Sequence, residues 1–472
     1  MTISNPKTKK VLGLFSLAMI NVAIICSLRG LPTMAEYGYS IIFFLVVTLI
    51  IFLIPVSLVS AELATGWPKQ GGIYAWVREA FGERWGFVAI CMQWLQNLVF
   101  YPTALASTAA VIAYLFNPAL AENKVYTIAV IIIVYWIALF INLRGMKTSG
   151  FISTIGSVFG IIIPGIVLIA LAVIWIASGQ PSQVHFSVQS LVPDLSNIKN
   201  IVFLTGLFLF FAGMEVSGVH ATEVENPQKN YPKAILISGL IIFTLFLLGS
   251  LAVSIILPQQ DISLTAGLMQ TFTIVFDKFN LGWAIPILVL LAAPGMMVQV
   301  SSWIAGPSRG LIATAKNGDL PPIFQKMNKN NMPINIMIFQ GIVVSLISLI
   351  FLFMPSVSSS FWILTALAAL VYLTVYIIMF AAAIKLRYSQ PNTVRAYKIP
   401  GGKFGMWAIA GLGILACVFA IIIGFVPPAQ LTTGNTGFYV TFLMVGLILF
   451  TGIPFAIYAL RKPSWKKNIH MD

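Results

Sequence analysis

Long apolar stretches separated by short polar segments run along almost the whole chain. A helix needs about 20 consecutive apolar residues to cross the hydrocarbon core of a bilayer. Twelve stretches come close to that length or exceed it. The pattern therefore predicts an all-α polytopic membrane protein with spans at residues 11–36, 40–63, 85–115, 126–143, 151–177, 201–221, 234–257, 281–314, 333–353, 361–384, 406–426 and 437–460.

The composition excludes a soluble fold. Hydrophobic residues make up 59% of the chain and charged residues only 8%, whereas soluble domains carry about 25% charged residues. The first stretch is broken by Asn21 and Arg29 and has no small-residue cleavage site after it, so we expect it to be retained as a span rather than removed as a signal peptide. Cys26, Cys91 and Cys417 show neither metal nor disulfide spacing and are interpreted as core residues.

The net charge of +14 reflects membrane topology. If the N-terminus is cytoplasmic, 23 of the 27 Lys and Arg residues fall on the cytoplasmic side, and the exceptions are Lys124, Lys199, Lys278 and, within a span, Arg29. Cytoplasmic loops are enriched in Lys and Arg. We therefore expect both termini in the cytoplasm, the lipid bilayer as a partner and no nucleic acid.

Two of the predicted spans are interrupted. Gly30 and Pro32 weaken the first, and Gly213 and Gly218 flank Glu215 in the sixth. Paired interruptions of this kind point to a transporter built from inverted repeats, whose unwound backbone binds the substrate. The predicted organisation is a cytoplasmic segment, two five-helix repeats, two further helices and a short tail, at residues 1–10, 11–177, 201–384, 406–460 and 461–472.

Arg29 and Glu215 are ionisable residues at membrane depth. A charge at the bilayer centre costs at least about 2.5 kcal/mol, so such residues persist where function or pairing offsets that cost. One interpretation places both in a substrate cavity, with Arg29 attracting a carboxylate and Glu215 an amine or a proton. The other is a structural ion pair that locks the two interrupted helices together. Both stay open at the level of sequence.

Two pairs of polar or aromatic residues have helical spacing. Gln299 and Trp303 are four residues apart in the eighth span, and Tyr372 and Tyr376 are four apart in the tenth, so each pair shares a helix face. Each pair is a candidate to line a substrate path. The alternatives are a helix–helix hydrogen bond for Gln299 and simple packing for the aromatic residues. We expect Pro307 to break or kink the eighth span.

Signatures of enzymes are missing from the sequence. His185, His220 and His470 form no metal-ligand array, and no phosphate-binding loop of the Walker type occurs. We expect neither an enzyme nor a cofactor or metal, and transport driven by gradients. A channel or a membrane receptor is the alternative, although most spans lack the polar stripe that a channel requires.

Several motifs together resemble the amino acid–polyamine–organocation superfamily, and within it the bacterial glutamate/GABA antiporter family. These motifs are GMEVS at 213–217, HATEVENP at 220–227, NYP at 230–232, DISLTAGLMQTF at 261–272, SWIAGPSRG at 302–310, KMNKN at 326–330 and IPGGK at 399–403. The resemblance covers nearly the whole chain, and its specificity comes from the motifs in combination.

The resemblance implies a LeuT-type 5+5 inverted repeat followed by two helices, and alternating access with exchange of amino acids. Protons are a candidate coupling ion, and a monomer or a homodimer fits equally well. The substrate's α-carboxylate and amine are expected at the backbone of the two interruptions, with aromatic side chains along the path. The implied site residues are Ser27, Leu28, Arg29, Gly30, Leu31, Gly213, Met214, Glu215, Trp303, Tyr372 and Tyr376, to which the helical spacing adds Gln299.

The sequence departs from the glutamate/GABA exchangers at three places. Those exchangers carry an acidic residue where Gln299 stands, and aromatic and acidic residues where Arg29 and Gly30 stand. They also have a longer cytoplasmic tail, whereas this chain stops at Asp472. We therefore expect a substrate that suits a cationic Arg29, or a neutralised Arg29–Glu215 pair, and no strict requirement for acid.

Overall fold

The computed structural model describes residues 13–68, 71–145, 156, 158–216 and 224–466. In this part of the chain, eleven helical segments and one bent pair are long and apolar enough to cross a membrane, which confirms the predicted count of twelve. Span 1 is the bent pair Leu14–Ile25 and Leu28–Ala35. Spans 2 to 12 are Gly38–Gly66, Glu83–Ala113, Lys124–Leu143, Val158–Ala177, Ile198–Val216, Lys229–Ile256, Gly282–Lys316, Ile334–Phe353, Val357–Ser389, Gly402–Gly424 and Thr436–Ala459.

Span 1 is interrupted where the sequence predicts it. The helix Leu14–Ile25 ends because Cys26 and Ser27 adopt extended backbone conformations. The chain then turns through 41° and continues as Leu28–Ala35. Pro32 lies in the first turn of the α-helical part, where its missing N–H group removes no helical hydrogen bond. The extended residues leave backbone groups of span 1 free for partners from other spans.

Span 6 is interrupted in the same manner. The helix Leu204–Phe211 ends at an extended Ala212, and Gly213 follows with φ of +125°. A side chain at Gly213 would be strained at this φ, and its Cβ would lie 3.1 Å from Ile24 of span 1. A single 3₁₀ turn follows at 214–216. The remainder of the predicted sixth span lies outside the described residues.

Span 3 is the central helix of the bundle. In its most apolar stretch 94% of the residues are buried, against 11% in span 12, so span 12 is peripheral and turned toward lipid. Span 3 packs against spans 8 and 10, and it also contacts the helix Ile73–Phe81 that connects spans 2 and 3. The interruptions of spans 1 and 6 are close together, because Gly213 approaches Ile24 of span 1, and span 3 has buried polar side chains such as Gln96 and Asn97.

Pro307 was expected to break or kink span 8, and of these two outcomes the break does not occur. The helix Ile285–Lys316 runs through both Pro294 and Pro307. A proline inside a helix removes one backbone hydrogen bond, but membrane helices tolerate it where neighbouring helices and side chains satisfy the freed groups. The face of span 8 that carries Gln299 and Trp303 therefore belongs to one continuous helix.

Candidate functional site

A cavity lies between spans 1, 3, 6, 8 and 10, beside both interruptions. The space free of protein atoms here is about 330 Å³, a figure that includes open solvent, so the enclosed volume is smaller. Five of the twelve residues predicted from the sequence line it, namely Ser27, Arg29, Gln299, Trp303 and Tyr372. The other lining residues are Ile24, Ile25, Gln96, Asn97, Phe100, Leu209, Phe210 and Ala212.

The remaining predicted residues lie behind this lining. The side chains of Leu28, Leu31 and Met214 are fully buried in the apolar core. Gly213 donates its backbone N–H to the hydroxyl of Tyr376 at 2.8 Å, so this freed backbone group already has a partner in the present arrangement. The last two of the predicted set are Gly30, where an added Cβ would approach the Phe210 ring to 3.0 Å, and Glu215.

Arg29 is held at the cavity by aromatic rings. Only 4% of the residue is exposed. Its guanidinium carbon lies 4.5 Å from the ring centroid of Phe100 and 5.0 Å from that of Phe210, a cation–π arrangement. One terminal nitrogen donates to the Thr103 hydroxyl at 3.3 Å, whereas the buried Nε has no partner among the described residues. Within the same residues Arg29 forms no ion pair.

Glu215 accepts hydrogen bonds from three side chains, none of which is Arg29. Tyr376 donates its hydroxyl to Oε2 at 2.6 Å, Tyr372 donates to Oε1, and Gln93 donates to Oε1 at 3.4 Å. Glu215 is 1% exposed and does not line the cavity. The ion pair with Arg29 that the sequence left open is therefore not formed, and Tyr372 and Tyr376 position Glu215 from span 10.

Gln299 and Trp303 connect span 8 to the interruption of span 1. The Gln299 side-chain amide donates to the backbone carbonyls of Ile24 and Cys26 at 3.3 and 3.4 Å. The Trp303 indole donates to the Ile24 carbonyl at 3.3 Å. Both side chains also line the cavity. Gln299 therefore lines the cavity and also forms hydrogen bonds between helices, so the two interpretations are compatible.

The sequence interpretation missed the contribution of span 3. Gln96, Asn97 and Phe100 line the cavity, and together with Gln93 they occupy one helix face. The three amide side chains of Gln93, Gln96 and Asn97 lie within five residues of an apolar helix. This cluster was a sequence signal that could have identified the lining face of span 3. Asn97 donates to the Gln93 carbonyl at 2.9 Å, while its Oδ1 and the Oε1 of Gln96 have no partner among the described residues.

The lining has one charged side chain, Arg29, and no carboxylate among the residues the structure describes. The described residues also contain no group of three or more His, Cys, Asp or Glu side chains arranged to hold a metal ion. A desolvated guanidinium favours anions, because its planar N–H groups match a carboxylate. The arrangement is thus suited to binding a small anionic or zwitterionic molecule.

Comparisons with known proteins point in one direction. A family model described as "Amino acid permease" matches residues 12–450. An uncharacterized transporter of Legionella pneumophila is 44% identical over 95% of this chain and 96% of its own length. A glutamate/gamma-aminobutyrate antiporter of Lactococcus lactis is 34% identical over 96% of this chain and 91% of its own length. Among solved structures, MhsT in complex with L-phenylalanine covers 89% of this chain and 100% of its own, at 16% identity and a TM-score of 0.56, which shows the LeuT fold.

Proposed function

The chain belongs to the amino acid permease family, and on that premise we propose that it moves acidic amino acids across a bacterial inner membrane by alternating access. Exchange is the favoured mode because a relative of 34% identity is a glutamate/gamma-aminobutyrate antiporter. The named relatives are transporters and lend no support to the receptor or channel alternative. Proton-coupled uptake is the alternative mode to exchange.

The position of the cavity supports this function. It lies where the first helix of each half is interrupted, between residues of spans 1 and 6. Transporters with inverted repeats bind substrate at such discontinuous helices. We assign residues 11–177 and 201–384 to the two repeats and 406–460 to peripheral helices, with both termini in the cytoplasm.

Arg29 carries the choice of substrate. It is the one charge in the described lining, it is buried, and among the described residues no carboxylate pairs with it. A desolvated cation is costly in a membrane unless an anion offsets it. A substrate carboxylate would supply that anion and give the Nε of Arg29 an acceptor. Acidic amino acids bring an additional carboxylate and so suit this site better than cationic ones.

The backbone and aromatic residues complete the proposed site. The interruption at Ser27, Leu28, Arg29, Gly30 and Leu31 supplies polar backbone groups beside the cavity. Gly213, Met214 and Glu215 shape the facing turn. Access to the site is controlled by the aromatic side chains that line or back the cavity, namely Trp303, Tyr372 and Tyr376.

Counterflow tests the proposal directly. Liposomes that contain the purified protein would be loaded with one of the twenty amino acids, GABA or a polyamine. Uptake of the same compound in labelled form would then be measured at pH 5 and pH 7.5. We expect accumulation of glutamate or aspartate, and no signal with lysine, arginine or polyamines. Folded protein that exchanges only cationic compounds would contradict the role of Arg29. Folded protein that exchanges nothing would contradict the transporter assignment.

A further inference from the structure

Two residues of span 3 that line the cavity, Gln96 and Asn97, each have a side-chain acceptor without a donor among the described residues. Asn97 is 1% exposed and its amide orientation is set by donation to the Gln93 carbonyl at 2.9 Å. This leaves its Oδ1 without a partner among the described residues. Gln96, also 1% exposed, leaves its Oε1 in the same state. Buried acceptors are costly unless water or a ligand satisfies them.

The carboxylate that sequence reasoning offered for a substrate amine is occupied elsewhere. Glu215 accepts hydrogen bonds from Gln93, Tyr372 and Tyr376 and does not line the cavity. An ammonium group has three N–H donors and no acceptor, so it requires oxygen atoms at its binding site. Of the side-chain acceptors that belong to lining residues, the neutral amide oxygens of Gln96 and Asn97 are fully buried and have no donor among the described residues.

We propose that Asn97 and Gln96 form an amine-binding subsite, in which their amide oxygens accept hydrogen bonds from the substrate's ammonium group while Arg29 holds a carboxylate. This inference rests on the proposed function and specifies its substrate as a molecule with both groups. Neutral acceptors leave the site net positive. The subsite therefore recognises the amine of an anionic amino acid without attracting amines that lack a carboxylate.

The matched control is Asn21. It is fully buried, donates its amide to the Ser238 hydroxyl at 3.3 Å, and has an Oδ1 without a partner among the described residues. It does not line the cavity. Asn21→Leu and Asn97→Leu therefore remove the same groups from a similarly buried environment, and only Asn97→Leu removes an acceptor from the site.

The experiment compares glutamate with glutarate, which has the same two carboxylates and no amine. Each compound competes against labelled glutamate in counterflow with wild type, Asn97→Leu, Gln96→Leu and Asn21→Leu. We expect the wild type to prefer glutamate, and Asn97→Leu to lower this preference about tenfold by weakening glutamate while leaving glutarate unchanged. Asn21→Leu should keep the wild-type preference.

Gln96→Leu covers the case in which Asn97→Leu does not fold. The Gln96 side chain makes no hydrogen bond within the described part of the chain, so its replacement breaks no hydrogen bond there. A smaller drop in the glutamate preference is expected. If the folded variants keep the wild-type preference, water rather than the substrate amine binds these oxygens. This result would overturn the subsite and leave the proposed function unaffected. Absence of glutamate and aspartate counterflow in wild type overturns the proposed substrate class and the subsite with it.

Discussion

Two regions of the molecule bury arginines, and they differ in what the arginines contact. Where spans 2 and 10 end, Arg387 pairs with Glu62 at 2.7 Å and Arg395 lies 3.4 Å from the same carboxylate. The backbone N–H of Ile399 also donates to Glu62 at 2.9 Å. In the cavity, Arg29 has aromatic rings and one hydroxyl around it and no carboxylate among the described residues.

The difference separates a structural cluster from the proposed binding site. The side chains of Glu62, Arg387 and Arg395 are 1–3% exposed and join span 2, span 10 and the segment after span 10. Every charge there has an opposite charge nearby, as a permanent structure requires. Arg29 is equally buried, and no such charge lies beside it among the described residues. We infer that its counter-charge arrives with the substrate, so the missing partner is the functional feature.

The largest effect is expected from Glu62→Gln. The substitution leaves two buried guanidinium groups facing each other without a carboxylate. Removing one partner of a buried ion pair costs about 3–5 kcal/mol. Thermal unfolding in detergent should show a large loss of stability and a lower yield of folded protein. A variant with wild-type stability would show that the cluster is not structural and would remove the basis of the comparison.

Arg29→Met should give the opposite pattern. No ion pair is broken among the described residues, so the unfolding temperature should stay at or above that of wild type. Transport of acidic amino acids should fall by roughly 10- to 100-fold, the equivalent of losing a hydrogen bond to a charged group. Counterflow and thermal unfolding of the same preparation measure both effects. Loss of stability comparable with Glu62→Gln would assign Arg29 a structural role.

Tyr376→Phe tests whether Glu215 belongs with the structural group. Tyr376 donates to the Glu215 carboxylate at 2.6 Å and accepts from the Gly213 N–H at 2.8 Å. Removing the hydroxyl leaves both buried groups with one partner fewer, at a cost of about 1–3 kcal/mol. Stability should fall by that amount, while the preference for glutamate over glutarate stays unchanged. A changed preference would instead place Glu215 in contact with the substrate amine.

The fold and the two interruptions were accessible from sequence because their signals are local. Gly30, Pro32 and Gly213 disfavour a regular helix whatever surrounds them, and a run of apolar residues predicts a span without tertiary information. The burial of Arg29 and Glu215 followed from the spans that contain them. These features depend on residues close together in the chain.

The partners of the charged residues could not be predicted from the sequence, because they depend on how helices that are distant in the chain are rotated relative to one another. Nothing near Glu62 in sequence indicates Arg387, which lies 325 residues away. The sequence left an Arg29–Glu215 pair open for the same reason, and the structure gives Glu215 to Tyr372 and Tyr376. The amides of span 3 were visible in the sequence, but their place in the lining depends on which face of a buried helix meets the two interruptions.

The smallest effect is expected from a substitution in an ion pair that is exposed to water and, like the buried pair at Glu62, joins an arginine to a glutamate. Arg78 and Glu83 lie 2.8 Å apart, with side chains that are 43% and 60% exposed. Exposed pairs contribute about 0–1 kcal/mol, because solvent screens the charges and hydrates either group when the other is removed. Glu83→Gln should therefore leave the unfolding temperature nearly unchanged in the assay where Glu62→Gln lowers it strongly. Since both substitutions replace one carboxylate that faces arginine, the difference isolates the cost of an unpaired charge that water cannot reach. Equal losses of stability would mean that burial does not distinguish the two pairs. The inference from the buried Arg29, which has no ion-pair partner in the described part of the chain, would then lose its energetic basis.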